Sequence, residues 1–374
     1  MTKPTVGLIT YHAAYNFGSV LQAYATQHTI ESFGYPVEMI DYRTYSQIYW
    51  YHHDIRHLKT WKSKAEVPLF LMMRSKRKER ARKFEDFISS KMNLTAKRYV
   101  KFEDFIDFNY EILISGSDQI WNINCGEFRY EPYDSIRPYF LDFGHPKKRI
   151  AYASSFGAAN REQVQDYTEL LKQYDFLSTR EPRTRDFMAE LTGKNVELVC
   201  DPTWLLNREE WSQLISKSNH KKPYILVYNL LFNWRIVIPW LRKIKKTAKI
   251  LGLDVYCISA LRPLVYPGVH MVNDAGPLDI LQMIRDASFV VTNTFHGTIF
   301  SINFNVPFLS LKVEPNSRQD QILTLCGLGN RVANTPDELM KFNKPLNIDF
   351  TQANRVIEDF RTKSKQYLKN ALDE

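Results

Sequence analysis

Ser288-Phe289-Val290-Val291-Thr292-Asn293-Thr294-Phe295-His296-Gly297-Thr298 reads as a short buried strand, a polar loop and the opening of a helix. Apolar runs of this length without polar alternation suit parallel strands covered on both faces. The pattern recurs on either side. Tyr224-Ile225-Leu226-Val227-Tyr228 and Asp254-Val255-Tyr256-Cys257-Ile258 are strands around a helix at about 234–251. A helix near 277–286 precedes the quoted stretch, and Pro307-Phe308-Leu309-Ser310-Leu311 is the strand beyond it. The first half follows the same rule. Val6-Gly7-Leu8-Ile9-Thr10 is a strand, and Val20, Leu21, Tyr24, Ala25 and His28 share one helical face until Gly34 and Pro36 end it. Val37-Glu38-Met39-Ile40 follows, then strand patterns at 112–114, 150–153, 176–178 and 196–199, with helices around 161–174 and 182–191. Two such runs, the second restarting after the polar stretch 216–222, predict an α/β protein of two Rossmann-like lobes. The N-terminal lobe is expected over 1–205, with an aromatic, basic, helical insertion at about 45–100, and the C-terminal lobe over 206–345. Residues 346–374 form a last helix, with Val356, Ile357, Phe360, Ser364, Tyr367 and Leu368 on one face that packs back across a lobe. In such sheets ligands sit at the carboxyl ends of the strands, and a cleft between the lobes is the expected location.

The bulk composition is that of a globular chain: 374 residues, 44% apolar and 24% charged. Cys125, Cys200, Cys257 and Cys326 lie too far apart for a zinc site or a redox pair, and no cluster has metal-ligand spacing, so no metal or other cofactor is expected. The apolar run Val6 to Ile9 is too short for a signal-peptide core, and no stretch is long enough to span a bilayer, which predicts a cytoplasmic protein with reduced thiols. The 50 basic and 41 acidic residues leave a net charge of +9, and part of the excess is local, with seven basic residues and one acidic residue from Arg74 to Lys83. That block fits a solvated helix face. It also fits peripheral contact with the acidic inner leaflet through 67–83, because Val67-Pro68-Leu69-Phe70-Leu71-Met72-Met73 is apolar enough to lie in an interface. A nucleic-acid partner is not expected, since the rest of the chain is only mildly basic.

Six loops at strand ends carry the candidate chemistry. His296 lies near a helix start, where backbone N–H groups favour an anion, and Gly297 would let a ligand approach; the alternative is a histidine that only caps the helix. Ser115-Gly116-Ser117-Asp118-Gln119 supplies hydroxyls for a sugar or phosphate, and Asp118 is a general base toward a hydroxyl or a helix cap. Ala14-Tyr15-Asn16-Phe17-Gly18-Ser19 lacks a full glycine fingerprint and is a binding loop or a turn. Ser154-Ser155-Phe156-Gly157 ends a strand in the same way. Arg180 is a strand-end cation suited to a carboxylate or phosphate, or else to a salt bridge with Glu181 or another acid. Beyond the strand at 308–311, Lys312, Asn316, Ser317, Arg318 and Asp320 bring charge to the cleft or form a solvated loop. Neither a nucleophile elbow nor a Walker loop occurs.

Together these segments resemble the bacterial polysaccharide pyruvyl transferases. The resemblance is carried by Asn16-Phe17-Gly18-Ser19-Val20-Leu21-Gln22, Ser115-Gly116-Ser117-Asp118-Gln119-Ile120-Trp121-Asn122, Ser178-Thr179-Arg180-Glu181, Asp201-Pro202-Thr203, Phe295-His296-Gly297-Thr298-Ile299-Phe300-Ser301 and Asn316-Ser317-Arg318. It implies a two-lobed, GT-B-like architecture, phosphoenolpyruvate as donor, a saccharide acceptor that can be lipid-linked, and a pyruvate ketal as product in surface or capsular polysaccharide biosynthesis. His296 and Asp118 are then the catalytic residues, His296 either protonating the enol methylene or holding the leaving phosphate. Arg180, Arg318, Lys312, Thr294, Gly297 and Thr298 are the donor-binding residues. Asn16, Gly18, Ser19, Ser115, Ser117, Gln119 and Ser155 would line the acceptor side. Thr294 departs from the many members that carry Arg two residues before the histidine. This leaves two other expectations open: a GT-B-type glycosyltransferase using a nucleotide sugar, and a non-catalytic glycan-binding member of an assembly complex.

Overall fold

The structure, a computed structural model, describes residues 3–52, 73–106, 108–128, 131–157, 159–216, 222–229, 234–259, 265–312, 314–315, 317–342 and 347–374. The chain divides into two compact units. The first comprises Met1–His57, Phe84–Leu206 and Asp359–Glu374; the second comprises Leu58–Lys83 and Asn207–Glu358.

The first unit holds a parallel sheet of β1 (Val6–Ile9), β2 (Val37–Met39), β3 (Ile112–Ser115) and β4 (Lys148–Ala151), in the order β2-β1-β3-β4. The pair β5 (Leu177–Thr179) and β6 (Val196–Leu198) is also parallel, and the amide of Ala151 donates to Phe176 O, tying β4 to the lead-in of β5. β1 and β3 are buried at every position, as their unbroken apolar sequence requires. Helices Phe17–Ser32 and Pro182–Thr192 follow β1 and β5. A core of Ile9, Leu113, Trp121, Tyr139, Phe156 and Tyr174 fills the space on one side of the sheet. The last helix, Thr351–Asp373, buries Ile357, Ser364, Leu368 and Leu372 at helical spacing. Its Arg361 Nε donates to Trp204 O (2.6 Å), its Ser364 Oγ accepts from the Cys200 amide (2.8 Å), and its Tyr367 hydroxyl donates to Ala151 O (3.2 Å). This is the expected packing back of the C-terminal helix.

The second unit is built on six parallel strands: β7 (Tyr224–Asn229), β8 (Asp254–Ser259), β9 (His270–Val272), β10 (Phe289–Thr292), β11 (Phe308–Leu311) and β12 (Val332–Ala333). Their order is β12-β11-β10-β7-β8-β9. Counted from β7, this is the doubly wound Rossmann order, whose direction of winding reverses between β7 and β10. The register sets Tyr228 opposite Thr292 at that reversal. Ile225, Val227, Trp240, Leu241, Val291 and Leu309 form the core of this unit. Each unit is thus a Rossmann-like α/β lobe, as the alternating pattern predicts. Among the described residues no helix is long and apolar enough to cross a membrane.

Candidate functional site

In the first unit the winding reverses between β1 and β3, and the expected residues gather at that carboxyl edge. Thr10 Oγ1 donates to Ser117 O (2.7 Å), and the Gly116 amide donates to Ile9 O (2.8 Å), stitching the two strand ends together. The next residue, Asp118, is left-handed with φ of 79°. Aspartate tolerates this region better than most residues, and such backbone is found at functional sites. The carboxylate of Asp118 accepts from Ser19 Oγ (2.5 Å), from the Gln119 amide (2.8 Å) and from Arg180 Nη2 (3.4 Å). Asp118 therefore caps no helix; it links the loop after β3 to the first turn of the Phe17–Ser32 helix, where Gly18 is also buried.

Arg180 departs from the expected open cation. Its side chain is only 2% exposed, and Nη1 donates to Asp201 Oδ2 (2.6 Å) and Ser117 Oγ (3.0 Å). Burial works against its charge, and Asp201, Asp118 and Glu181 more than restore it, raising its pKa above the ordinary arginine value. Several expected acceptor contacts are also internal. Ser115 Oγ accepts from the Tyr174 hydroxyl (3.1 Å), and Ser155 Oγ donates to Glu181 Oε2 (2.9 Å). Gln119 Oε1 accepts from Asn122 Nδ2 (2.9 Å), and the Asn16 side chain caps its helix by accepting from the Gly18 amide (3.0 Å). Ser115, Ser117 and Ser155 are fully buried, whereas Asn16 and Gln119 keep partial exposure.

In the second unit His296 is the second residue of the helix Phe295–Asn303, which opens directly after the two residues Asn293 and Thr294 that follow β10, and it is partly exposed. Thr294 is the N-cap, and its Oγ1 accepts from the Gly297 amide (2.8 Å). Gly297 is glycine for packing: a Cβ there would lie 2.3 Å from Thr292 Oγ1 and 2.6 Å from Thr294 Oγ1. The expected approach of a ligand to its backbone is thus taken up by two threonine hydroxyls. Thr298 is buried, with Oγ1 bonded to Thr294 O (3.1 Å), Ser310 Oγ (2.9 Å) and Gln319 Nε2 (2.7 Å). Arg318 begins the helix Arg318–Leu325, capped by Ser317, and its guanidinium lies 5.2 Å from the Phe295 ring centre. The Phe295 ring meets the His296 imidazole edge-on at 5.2 Å, so arginine, phenyl ring and imidazole form a series. Lys312 is exposed after β11 with φ of 50°. Asn316 lies outside the described residues.

Two groups of polar residues escaped the sequence pattern. Beyond β1, the buried His12 imidazole meets Asp41 Oδ1 through Nε2 (2.9 Å). Arg43 Nε (2.5 Å) and Arg98 Nε (3.1 Å) donate to the same carboxylate, and Arg43 Nη1 continues to Glu85 Oε1 (2.7 Å). In the second unit, Arg80 and Tyr228 are each buried. The Asp41 group has no motif, because it joins residues that are far apart in the chain.

The fold has solved counterparts at very low identity. The UDP-GlcNAc 2-epimerase of Methanocaldococcus jannaschii, in complex with UDP-GlcNAc and UDP, is similar at 9% identity and a TM-score of 0.51, over 96% of this chain and 99% of that one. The UDP-N-acetylglucosamine 2-epimerase of Rickettsia bellii is similar at 7% identity and a TM-score of 0.51, over 100% and 98%. At such identities the likeness extends to the fold, two Rossmann-like lobes in a GT-B-like arrangement of elements along the chain. No curated protein matches the sequence. The family model of the polysaccharide pyruvyl transferases matches residues 16–315, which include Asp118, Arg180 and His296, so the chain is a transferase belonging to the polysaccharide pyruvyl transferase family.

Proposed function

We propose that the protein transfers a pyruvyl group from phosphoenolpyruvate to two hydroxyls of a saccharide, forming a pyruvate ketal during synthesis of a surface or capsular polysaccharide. The observation that carries this reading is the series Arg318, Phe295 and His296 at the carboxyl edge of β10 and β11. It offers a fixed cation and a partly exposed proton carrier to a small anionic donor. In the first step a proton goes to the enol methylene and the central carbon becomes electrophilic. An acceptor hydroxyl adds there and loses its proton to Asp118. The phosphate then leaves with its bridging oxygen, and a second hydroxyl closes the ketal and releases its proton. His296 serves as the methylene acid or as the group that holds the departing phosphate. Arg180, enclosed by Asp201, Ser117 and Asp118, is assigned to positioning the base. Lys312 and Arg318 hold donor charge.

The test is incubation with phosphoenolpyruvate and candidate glycans, free and lipid-linked, followed by mass measurement of added pyruvate and by phosphate release. His296→Ala is expected to lower turnover by about 100- to 10,000-fold with the fold intact. A folded, fully active variant overturns the assignment. A nucleotide-sugar donor is the second reading, favoured by the epimerase-like fold. Stabilisation against heat by UDP or GDP, and not by phosphoenolpyruvate, is the result that would select it. Glycan binding without phosphate release would select a non-catalytic role. We further propose a cytoplasmic location with peripheral contact to the acidic leaflet through 67–83, of which 67–72 lie outside the described residues.

A further inference from the structure

At the carboxyl edge of β1, one buried amide stands behind the Asp118 loop. Gln22, in the second turn of the helix Phe17–Ser32, is fully buried. Its Nε2 donates to Ser19 O (2.9 Å) and to Thr10 Oγ1 (3.0 Å). A carbonyl oxygen only accepts, so Ser19 O fixes which end of the amide is the nitrogen. Thr10 Oγ1 is therefore an acceptor toward Gln22, and its single proton goes to Ser117 O (2.7 Å). The Thr10 side chain packs directly on the loop: a Cβ on Gly116 would lie 2.8 Å from Thr10 Cβ and 3.2 Å from its Oγ1. The carbonyl it holds belongs to the peptide that leads into Asp118, whose φ of 79° has to be kept by its surroundings. Gln22 Oε1, by contrast, is buried and has no hydrogen-bond partner among the described residues. A buried unpaired carbonyl costs stability, so folding alone gives no reason for an amide here rather than an apolar side chain of the same length.

We propose that Gln22 is a positioning residue for Asp118: it directs the Thr10 proton to Ser117 O and so holds the left-handed turn that aims the carboxylate. This deepens the assignment of Asp118 as base and rests on it. Being fully buried, Gln22 acts through Thr10 and not on the substrate. Without the amide the Thr10 hydroxyl is free to rotate away from Ser117 O, and the turn loses its anchor to β1. A displacement of about 1 Å in a reacting group is enough to slow a reaction by about 100-fold. Gln27, five residues further along the same helix, provides an internal comparison. It too is a buried amide with an unpartnered Oε1, but its Nε2 donates to Val37 O (3.3 Å) at the start of β2 and to Asn93 O (3.0 Å). The two glutamines have the same chemistry, and only Gln22 connects to the Asp118 loop.

The test compares the full chain with Gln22→Met, Thr10→Val and the control Gln27→Met, by two readouts. Amide hydrogen exchange over residues 115–119 needs no substrate. It is expected to be about 10-fold faster in Gln22→Met and Thr10→Val, and unchanged in Gln27→Met. Steady-state phosphate release from phosphoenolpyruvate is the second readout. Gln22→Met is expected to lower kcat by about 10-fold with KM for phosphoenolpyruvate unchanged, and its urea midpoint should be no lower than that of Gln27→Met. In an Asp118→Asn background, which already lacks the base, adding Gln22→Met should change kcat by less than about twofold. Unchanged exchange over 115–119 in folded Gln22→Met, or in Thr10→Val should that variant not fold, overturns the proposal. So does faster exchange with a wild-type kcat, or an equal loss of kcat with and without the Asp118 carboxylate. A slow Asp118→Asn beside a fast Gln22→Met removes the positioning role alone, whereas a wild-type kcat in Asp118→Asn removes the base assignment and this proposal with it. If wild type releases no phosphate with any glycan, the donor reading falls, and the exchange rates alone decide whether Gln22 holds the turn.

Discussion

Asp118 is the residue at which local geometry and proposed chemistry meet most closely. Its left-handed backbone turns the carboxylate toward Ser19, and the 2.5 Å bond from Ser19 Oγ occupies Oδ2 while Arg180 holds Oδ1 at 3.4 Å. A base fixed from both sides loses little freedom when a hydroxyl arrives, and an acceptor hydroxyl can take the place of Ser19 on Oδ2. Asp118→Asn keeps the shape and the Ser19 contact but removes the negative charge. Its expected effect is a fall in kcat of about 100-fold or more with KM for phosphoenolpyruvate little changed, measured by steady-state phosphate release at several pH values. Ser19→Ala, which leaves the carboxylate in place, is expected to cost far less. An unchanged kcat in folded Asp118→Asn would remove this residue from the reaction.

At the scale of elements, the strands were legible and the ion networks were not, for one physical reason. β1, β3, β7, β10 and β11 are short parallel strands, and burial on both faces writes them as continuous apolar runs. The edge strands β9 and β12 escaped: His270-Met271-Val272 is partly exposed and Val332–Ala333 is two residues long, so neither carries such a run. His12 with Asp41, and Lys83 with Asp279, are pairs set by the fold alone, and no local spacing announces them. Arg180 was legible as a strand-end cation, but its enclosure by Asp201 and Asp118 depends on three loops at once. The Arg74–Lys91 helix is the clearest case of a pattern with several outcomes, since a basic run is written alike whether it faces water, lipid or protein. With Lys76 and Lys83 paired to acids and Arg80 buried, membrane attraction in the described part falls to residues such as the exposed Arg74 and Lys78. Each basic residue near an acidic surface contributes about 1 kcal/mol, so replacing both by Gln should weaken vesicle binding about thirtyfold at low salt. Co-sedimentation with vesicles of graded acidic lipid content measures this, and binding that ignores lipid charge and salt would exclude the contact.

The whole molecule should be most sensitive to acid through the network around Asp41, because that carboxylate gathers charge from distant parts of the first unit. Burial alone would raise its pKa, but the hydrogen bond and charge of His12, and then Arg43, hold it well below the usual carboxylate range. Arg43 extends the network to Glu85, which also accepts from the Tyr15 hydroxyl (2.8 Å), so strand-end loops and the Arg74–Lys91 helix are joined through it. A carboxyl whose folded pKa lies below its unfolded value of about 4 stabilises the fold fully above that pH, and the contribution fades as pH drops toward the folded value. Asp41→Asn removes the charge and leaves the buried Arg43 without its closest anion, for which a loss of about 3 kcal/mol at pH 7 is expected. Urea melts from pH 7 down to pH 2.5 provide the check. The stability difference between wild type and Asp41→Asn should stay constant above about pH 5 and shrink in more acidic solution. A difference that does not change with pH would mean that Asp41 holds the first unit together by packing and hydrogen bonding and not by its charge.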